Sequence, residues 1–162
     1  MRLSCLPVLL AAVSCDTGEH RSVSTSRDGV VEVSQAFASE SVTGETAAVY
    51  FALRNRGPTD DTLEAIVVEG AGSARIHESG ERDGIRVMAP LSALPLPARR
   101  VTRLVPGGPH VMLLDLARRP VAGDSLRGVL RFRSGREVSL RAEVHGLTEL
   151  EDVVQDIRRN AG

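Results

Sequence analysis

From Val30 to Val144 the chain never runs far before it meets a turn. Gly, Pro and Asn clusters interrupt it roughly every 8–12 residues, and the stretches between them are short and β-prone. Val30, Val31 and Val33 lead into Phe37. Ala47–Leu53 (AAVYFAL) is closed by Asn55-Arg56-Gly57-Pro58, Leu63–Val68 by Gly70-Ala71-Gly72, and Val101–Val105 by Pro106-Gly107-Gly108; Val111–Leu116 is nearly all apolar. Arg75–Glu78 and Ile85–Met88 flank Gly80–Gly84 as a predicted hairpin. Leu126–Phe132 and Val138–Val144 flank Ser134-Gly135 as another, with Leu126, Val129 or Leu130, and Phe132 facing inward and Arg127, Arg131 and Arg133 facing water. No strand–helix–strand alternation appears, which argues against a parallel sheet. The pattern predicts an all-β sandwich or barrel.

The whole chain has 162 residues, enough for about one domain. At 42% hydrophobic and 25% charged it reads as an ordinary globular chain, not as a disordered tail, a collagen or a polytopic membrane protein. The net charge of −1 carries none of the basic excess that a nucleic-acid binder usually shows.

The two ends differ from this middle. Met1–Cys15 (MRLSCLPVLLAAVSC) has one early charge, Arg2, an apolar run from Leu3 to Val13, and small residues before Cys15. Those are the parts of a secretory signal, and the run is shorter than the roughly 20 apolar residues of a membrane span. Ala12-Val13-Ser14-Cys15 resembles a bacterial lipobox, in which the Cys becomes the lipid-carrying first residue. The alternative is a plain signal peptide cleaved near Ser14. Asp16–Asp28 is polar, with the composition of a flexible tether. With Cys5 in the leader and Cys15 acylated, the mature chain has no disulfide. At the other end, Thr148 and Glu151 fit a capping box. Leu147, Leu150, Val153, Val154 and Ile157 share one helical face, and Arg158 and Arg159 suit a helix C-terminus. A short amphipathic helix is expected over about Thr148–Arg159. The expected organisation is a leader over 1–15, a tether over 16–29, a β-sandwich over 30–145 and a helix within 146–162.

For an enzyme the chain offers little. It has no HExxH, no Cys pair at zinc spacing, no phosphate-binding glycine loop and no GxSxG. What stands out is scarcity with clustering. Apart from Met1 the only methionines are Met88 and Met112, and they fall among His77 and His110. The predicted hairpin brings the ends of its strands, His77 and Met88, to one side, and His110 and Met112, two apart in a strand, point to one face. Two imidazoles and two thioethers can converge. Thioethers are soft, neutral donors that prefer Cu(I), whereas zinc recruits thiolate, imidazole or carboxylate and calcium wants oxygen. Such a site suits transfer better than catalysis, because no general base or open water position accompanies it. Read one at a time, the methionines also serve as core filler and His110 as a turn residue.

His77, ten residues, Met88, twenty-one residues, then His110-Val111-Met112 reproduces H-x10-M-x21-H-x-M. On this spacing the chain resembles the periplasmic copper chaperones called PCu(A)C. Gly107-Gly108-Pro109-His110-Val111-Met112-Leu113 is similar to that family's GGxHVMLM segment, Ala47–Tyr50 with Asn55 to its AAAYxxxxN strand, and Val121-Ala122-Gly123-Asp124 to the turn before its last hairpin. The resemblance implies a cupredoxin-like Greek-key β-sandwich. It implies Cu(I) ligands at His77, Met88, His110 and Met112, and delivery toward respiratory oxidase copper sites beside Sco-type proteins. Many members carry Met two residues after the first His, where this chain has Ser79; a further copper site in the C-terminal tail has no support, and His145 and His20 match no ligand position.

The sequence therefore predicts a non-enzymatic, extracytoplasmic copper chaperone. It would be anchored by lipid on Cys15 only, monomeric, and would pass Cu(I) by ligand exchange. The alternatives are a copper-buffering or resistance lipoprotein and a metal-free β-sandwich interaction lipoprotein.

Overall fold

A computed structural model describes residues 23–41, 44–82, 84–146, 148–150, 152 and 155. Its strands are β1 (Ser24–Thr25), β2 (Val31–Ser39), β3 (Ala47–Asn55), β4 (Asp61–Val68), β5 (Ala71–Arg82), β6 (Ile85–Leu91), β7 (Leu94–Leu96), β8 (Val101–Leu104), β9 (His110–Leu116), β10 (Ser125–Phe132) and β11 (Glu137–His145). The all-β reading holds.

The strands form one hydrogen-bonded path, β6-β5-β9-β3-β2-β11-β10-β4-β7, with β1 added to β2 and β8 added to β3. Among the strand pairs of the described residues, only β11 and β2 run parallel. Two long strands let this path fold over on itself. The first part of β3 pairs with β9 and its second part with β8. β2 breaks register between Ser34 and Phe37, with Gln35 at φ 54°, and such a bulge bends and twists a strand. Residues from both ends of the path then share one core: Ile76, Val111 and Leu113 from β5 and β9, and Leu63, Ile66, Leu130 and Leu140 from β4, β10 and β11.

Period-two patterning supplies the inner face. Along β11 Val138, Leu140, Ala142 and Val144 are buried and their neighbours mostly exposed. In β10 Leu126, Leu130 and Phe132 point inward while Arg127 and Arg131 stay in water, so Leu130 and not Val129 is the core residue. Gly128 sits where β4 approaches so closely that a Cβ would lie 2.4 Å from the Val67 carbonyl oxygen.

Four features depart from the sequence reading. The strands of the site hairpin are longer than expected, because β5 continues to Arg82 and β6 to Leu91; His77 and Met88 therefore lie inside strands. β7 was not expected. It carries Pro95, which an edge strand tolerates because its missing N–H costs no ladder bond there. The expected tether ends early, since Ser24–Thr25 pair with β2 and Ser26 is buried. A polar clasp explains why. The Ser26 hydroxyl donates to Asp28, whose carboxylate takes Arg136 at 2.7 Å; Arg136 also reaches Asp61, which accepts from the Ser134 hydroxyl. Finally, 148–150 are helical, but the cap contacts form at Gly146, two residues earlier than expected, and only the glutamate half of a capping box is made. The Gly146 carbonyl accepts from the amides of Glu149 and Leu150, and the Glu149 carboxylate accepts from the Gly146 amide. Cys15, the leader, residues 16–22 and most of the expected C-terminal helix lie outside the described residues.

Candidate metal centre

The candidate ligands sit on the outer face of the β6-β5-β9 part of the sheet. Val111 and Leu113 are core residues of β9, so alternation turns His110 and Met112 to the other face. Ile76 does the same for Arg75 and His77 on β5. Register then matches the two strands: His77 stands directly opposite His110, and Arg75 opposite Met112. Residues directly opposed in an antiparallel pair project to the same side. The imidazole rings are 6.1 Å apart, inclined at 55°.

Met88 enters from the third strand. It lies opposite Ser79, two residues beyond His77, and so shares the same face. The two methionines flank the histidine pair from opposite directions, Met112 on the Arg75 side and Met88 on the Ser79 side. Their surroundings differ. His110 is 5% exposed and Met112 half-buried, whereas Met88 is 60% exposed on the outermost strand. The structure thus brings the two imidazoles together and places one thioether in the shelter of β9 and the other in solvent.

The Nδ1 atoms of the two histidines are held differently. His110 Nδ1 lies 3.0 Å from the Gly108 carbonyl oxygen. A carbonyl only accepts, so Nδ1 is the donor, and in the neutral ring this leaves Nε2 with the lone pair, an arrangement that outer-shell hydrogen bonds commonly impose on ligating histidines. The turn before β9 sets this contact: Gly107 adopts φ 83°, Gly108 N donates to the Val105 carbonyl, and Val105 N to that of Pro109. His77 Nδ1 is buried and has no hydrogen-bond partner among the described residues, which is costly for a polar atom. Burial pushes the His77 pKa below the ordinary imidazole value, assisted by the nearby His110 and by the Arg75 charge. Among the described residues no group of three or more His, Cys, Asp or Glu side chains is arranged to hold a metal. A metal on this face would need the thioethers.

One part of the neighbourhood was not legible in sequence. Phe37 pairs with Tyr50 across β2 and β3, and their rings stack at 5.0 Å. Tyr50 in turn lies 6.2 Å from the His110 ring. Phe37, Tyr50, His110 and His77 thus form a lateral row of rings across four neighbouring strands, and burial raises the Tyr50 phenol pKa. Tyr50 entered the sequence reading only as part of the strand that resembles AAAYxxxxN, because no linear spacing links it to His110. His145 ends β11 with its ring 6.3 Å from Phe37 and its Nδ1 3.5 Å from Glu149. It stands three strands from His110 in the sheet path. His20 lies outside the described residues.

This architecture matches that of PCuAC domains. The apo PCuAC domain from PmoF1 aligns with 73% of this chain and 95% of its own, at TM-score 0.61 and 28% identity. The copper-bound PCuAC domain from PmoF2 aligns over 73% and 94%, at TM-score 0.62 and 22% identity. The solution structure of CuI-DR1885 from Deinococcus radiodurans aligns over 68% and 76%, at TM-score 0.50 and 26% identity. The fold is therefore PCuAC-like and all-β, as the sequence led one to expect. At the level of family, the chain belongs to the LpqE-like group, described as "Putative lipoprotein LpqE-like", whose pattern matches residues 10–144. "Putative lipoprotein Lxx21020" of Leifsonia xyli subsp. xyli is 32% identical over 109 residues, which is 67% of this chain; the match spans 64% of that relative's length.

Proposed function

We propose that this protein is an extracytoplasmic Cu(I) carrier, tethered by lipid on Cys15, that binds the ion through His77, His110, Met112 and Met88 and gives it up by ligand exchange. The observation that carries this reading is the His77–His110 pair, with ring centroids 6.1 Å apart, one imidazole held through Nδ1 by the Gly108 carbonyl, and thioethers on the same face to either side. All four donors are neutral and two are soft. That set favours Cu(I) over zinc or calcium and holds it less tightly than thiolates would. The copper carried by the PmoF2 domain and by DR1885 supports the same reading, as does the family's lipoprotein description. The acceptor would be a protein with stronger ligands, and respiratory oxidase copper-site assembly is the destination that the resemblance to PCu(A)C chaperones implies. Reversible carriage is the chemistry on offer, not turnover.

A Cu(I) titration of the mature chain against a competing chelator tests this. One equivalent should bind, His110→Ala should cost at least tenfold in affinity, and Met88→Ala should cost less because its side chain is mostly in water. Affinity should fall on acidification, because a protonated imidazole cannot bind metal. The depressed His77 pKa should carry binding to lower pH than an ordinary imidazole would. Unchanged stoichiometric binding in both variants would remove these residues from the site.

A further inference from the structure

On the outer face of β5 a fixed positive charge stands beside the proposed copper ligands. Arg75 is two residues from His77 and directly opposite Met112. It is exposed and has no ion-pair partner among the described residues. The acidic residues of β5 are badly placed to neutralise it. Glu78 lies opposite Ala89 and so belongs to the other face. Glu81 is six positions further along the same strand, about 20 Å away at the usual strand rise.

Neutral ligands bring no negative charge to offset this field, and repulsion scales with the charge of the ion. We infer that Arg75 is a specificity-determining residue that acts as a charge filter, disfavouring divalent ions at the His77–His110–Met112 cluster while admitting a monovalent one. The inference rests on the Cu(I) reading above and adds the basis of its selectivity. Two positions along a strand put the Cα atoms of Arg75 and His77 about 7 Å apart, which sets the scale of the separation between the guanidinium charge and a bound ion. At that range, in a water-like dielectric, a unit charge changes the affinity for a monovalent ion by about threefold. The factor for a divalent ion is the square, about ninefold.

The test is to measure Cu(I) and Cu(II) affinities of the mature chain and of its Arg75→Gln and Arg75→Lys variants, at low salt and again near 1 M salt, where the Debye length is only about 3 Å. Arg75→Gln should tighten Cu(I) about threefold and Cu(II) about ninefold, Arg75→Lys should leave both unchanged, and the gains should shrink at high salt. Equal factors for the two ions, no change for either, or an Arg75→Lys variant that behaves like Arg75→Gln would overturn the filter. A wild-type chain that fails to bind Cu(I) fails the copper reading at the first titration, before any variant is compared, and takes the filter with it.

Discussion

His110 occupies its place because of its two neighbours in the chain. Val111 is pulled into the core, which turns His110 outward, and the Gly108 carbonyl accepts a hydrogen bond from its Nδ1–H. Neither contact needs a metal, so the donor atom is oriented in advance. Gly128 shows the same residue-scale determinism for stability. A Cβ there would meet the Val67 carbonyl oxygen at 2.4 Å and Val68 Cγ2 at 3.1 Å. Backbone cannot retreat without opening the β4–β10 ladder. Gly128→Ala should therefore lower stability by about 1–3 kcal/mol, the usual cost of overpacking. At Gly80, where nothing lies within 4 Å of the same added atom, the change should stay within about 0.5 kcal/mol. Chemical denaturation of both variants decides this, and equal losses would contradict the close approach of β4.

At the scale of elements, β1 is held by charge more than by area, being two residues long. The Asp28 carboxyl is drawn down to about 2 by the Ser26 hydroxyl, then by Arg136 and the Val30 amide. Desolvation raises the Asp61 pKa, but the hydrogen bonds from Ser134, Thr62 and Arg136 together outweigh it and leave the pKa lowered. A carboxylate with a depressed folded-state pKa stabilises the fold above its unfolded pKa, and that contribution is lost as pH falls through the folded value. Asp28→Asn should thus lower the thermal midpoint at neutral pH, and the gap from wild type should close between about pH 4 and pH 2. A gap that persists undiminished at pH 2 would show that the clasp is not electrostatic. The β5–β6 hairpin is the contrasting element. Ile85, Val87 and Met88 are exposed there, so its outer end gains little from the core.

The expected lipid anchor belongs to the whole molecule. Wild-type protein made in a lipoprotein-processing host should partition into a detergent phase, and Cys15→Ser should move it to the aqueous phase; a wild type that stays aqueous would leave only a plain signal peptide. The fold was readable because alternation is local: Leu126, Leu130 and Phe132 against Arg127 and Arg131 announce a strand and its inner face without reference to anything distant. The strand containing Pro95 was not, because an edge position is what admits proline, and edges exist only once the sheet is assembled. The early end of the tether was hidden for a similar reason. Ser26 and Asp28 read as polar linker until Arg136, 108 residues from Asp28, comes to meet them.

The sequence alone determined the all-β class, most of the strands and the four spaced candidate donors, since period-two burial and the properties of Gly, Pro, His and Met act within a few residues. Only the tertiary structure decided that β5 and β9 pair in the register that sets His77 against His110, that Met88 and Met112 flank the pair from opposite sides, and that Tyr50 backs one imidazole while Arg75 overlooks the cluster. Those relations depend on which strands become neighbours. That choice is made by long-range packing of the shared core, and a linear pattern does not record it.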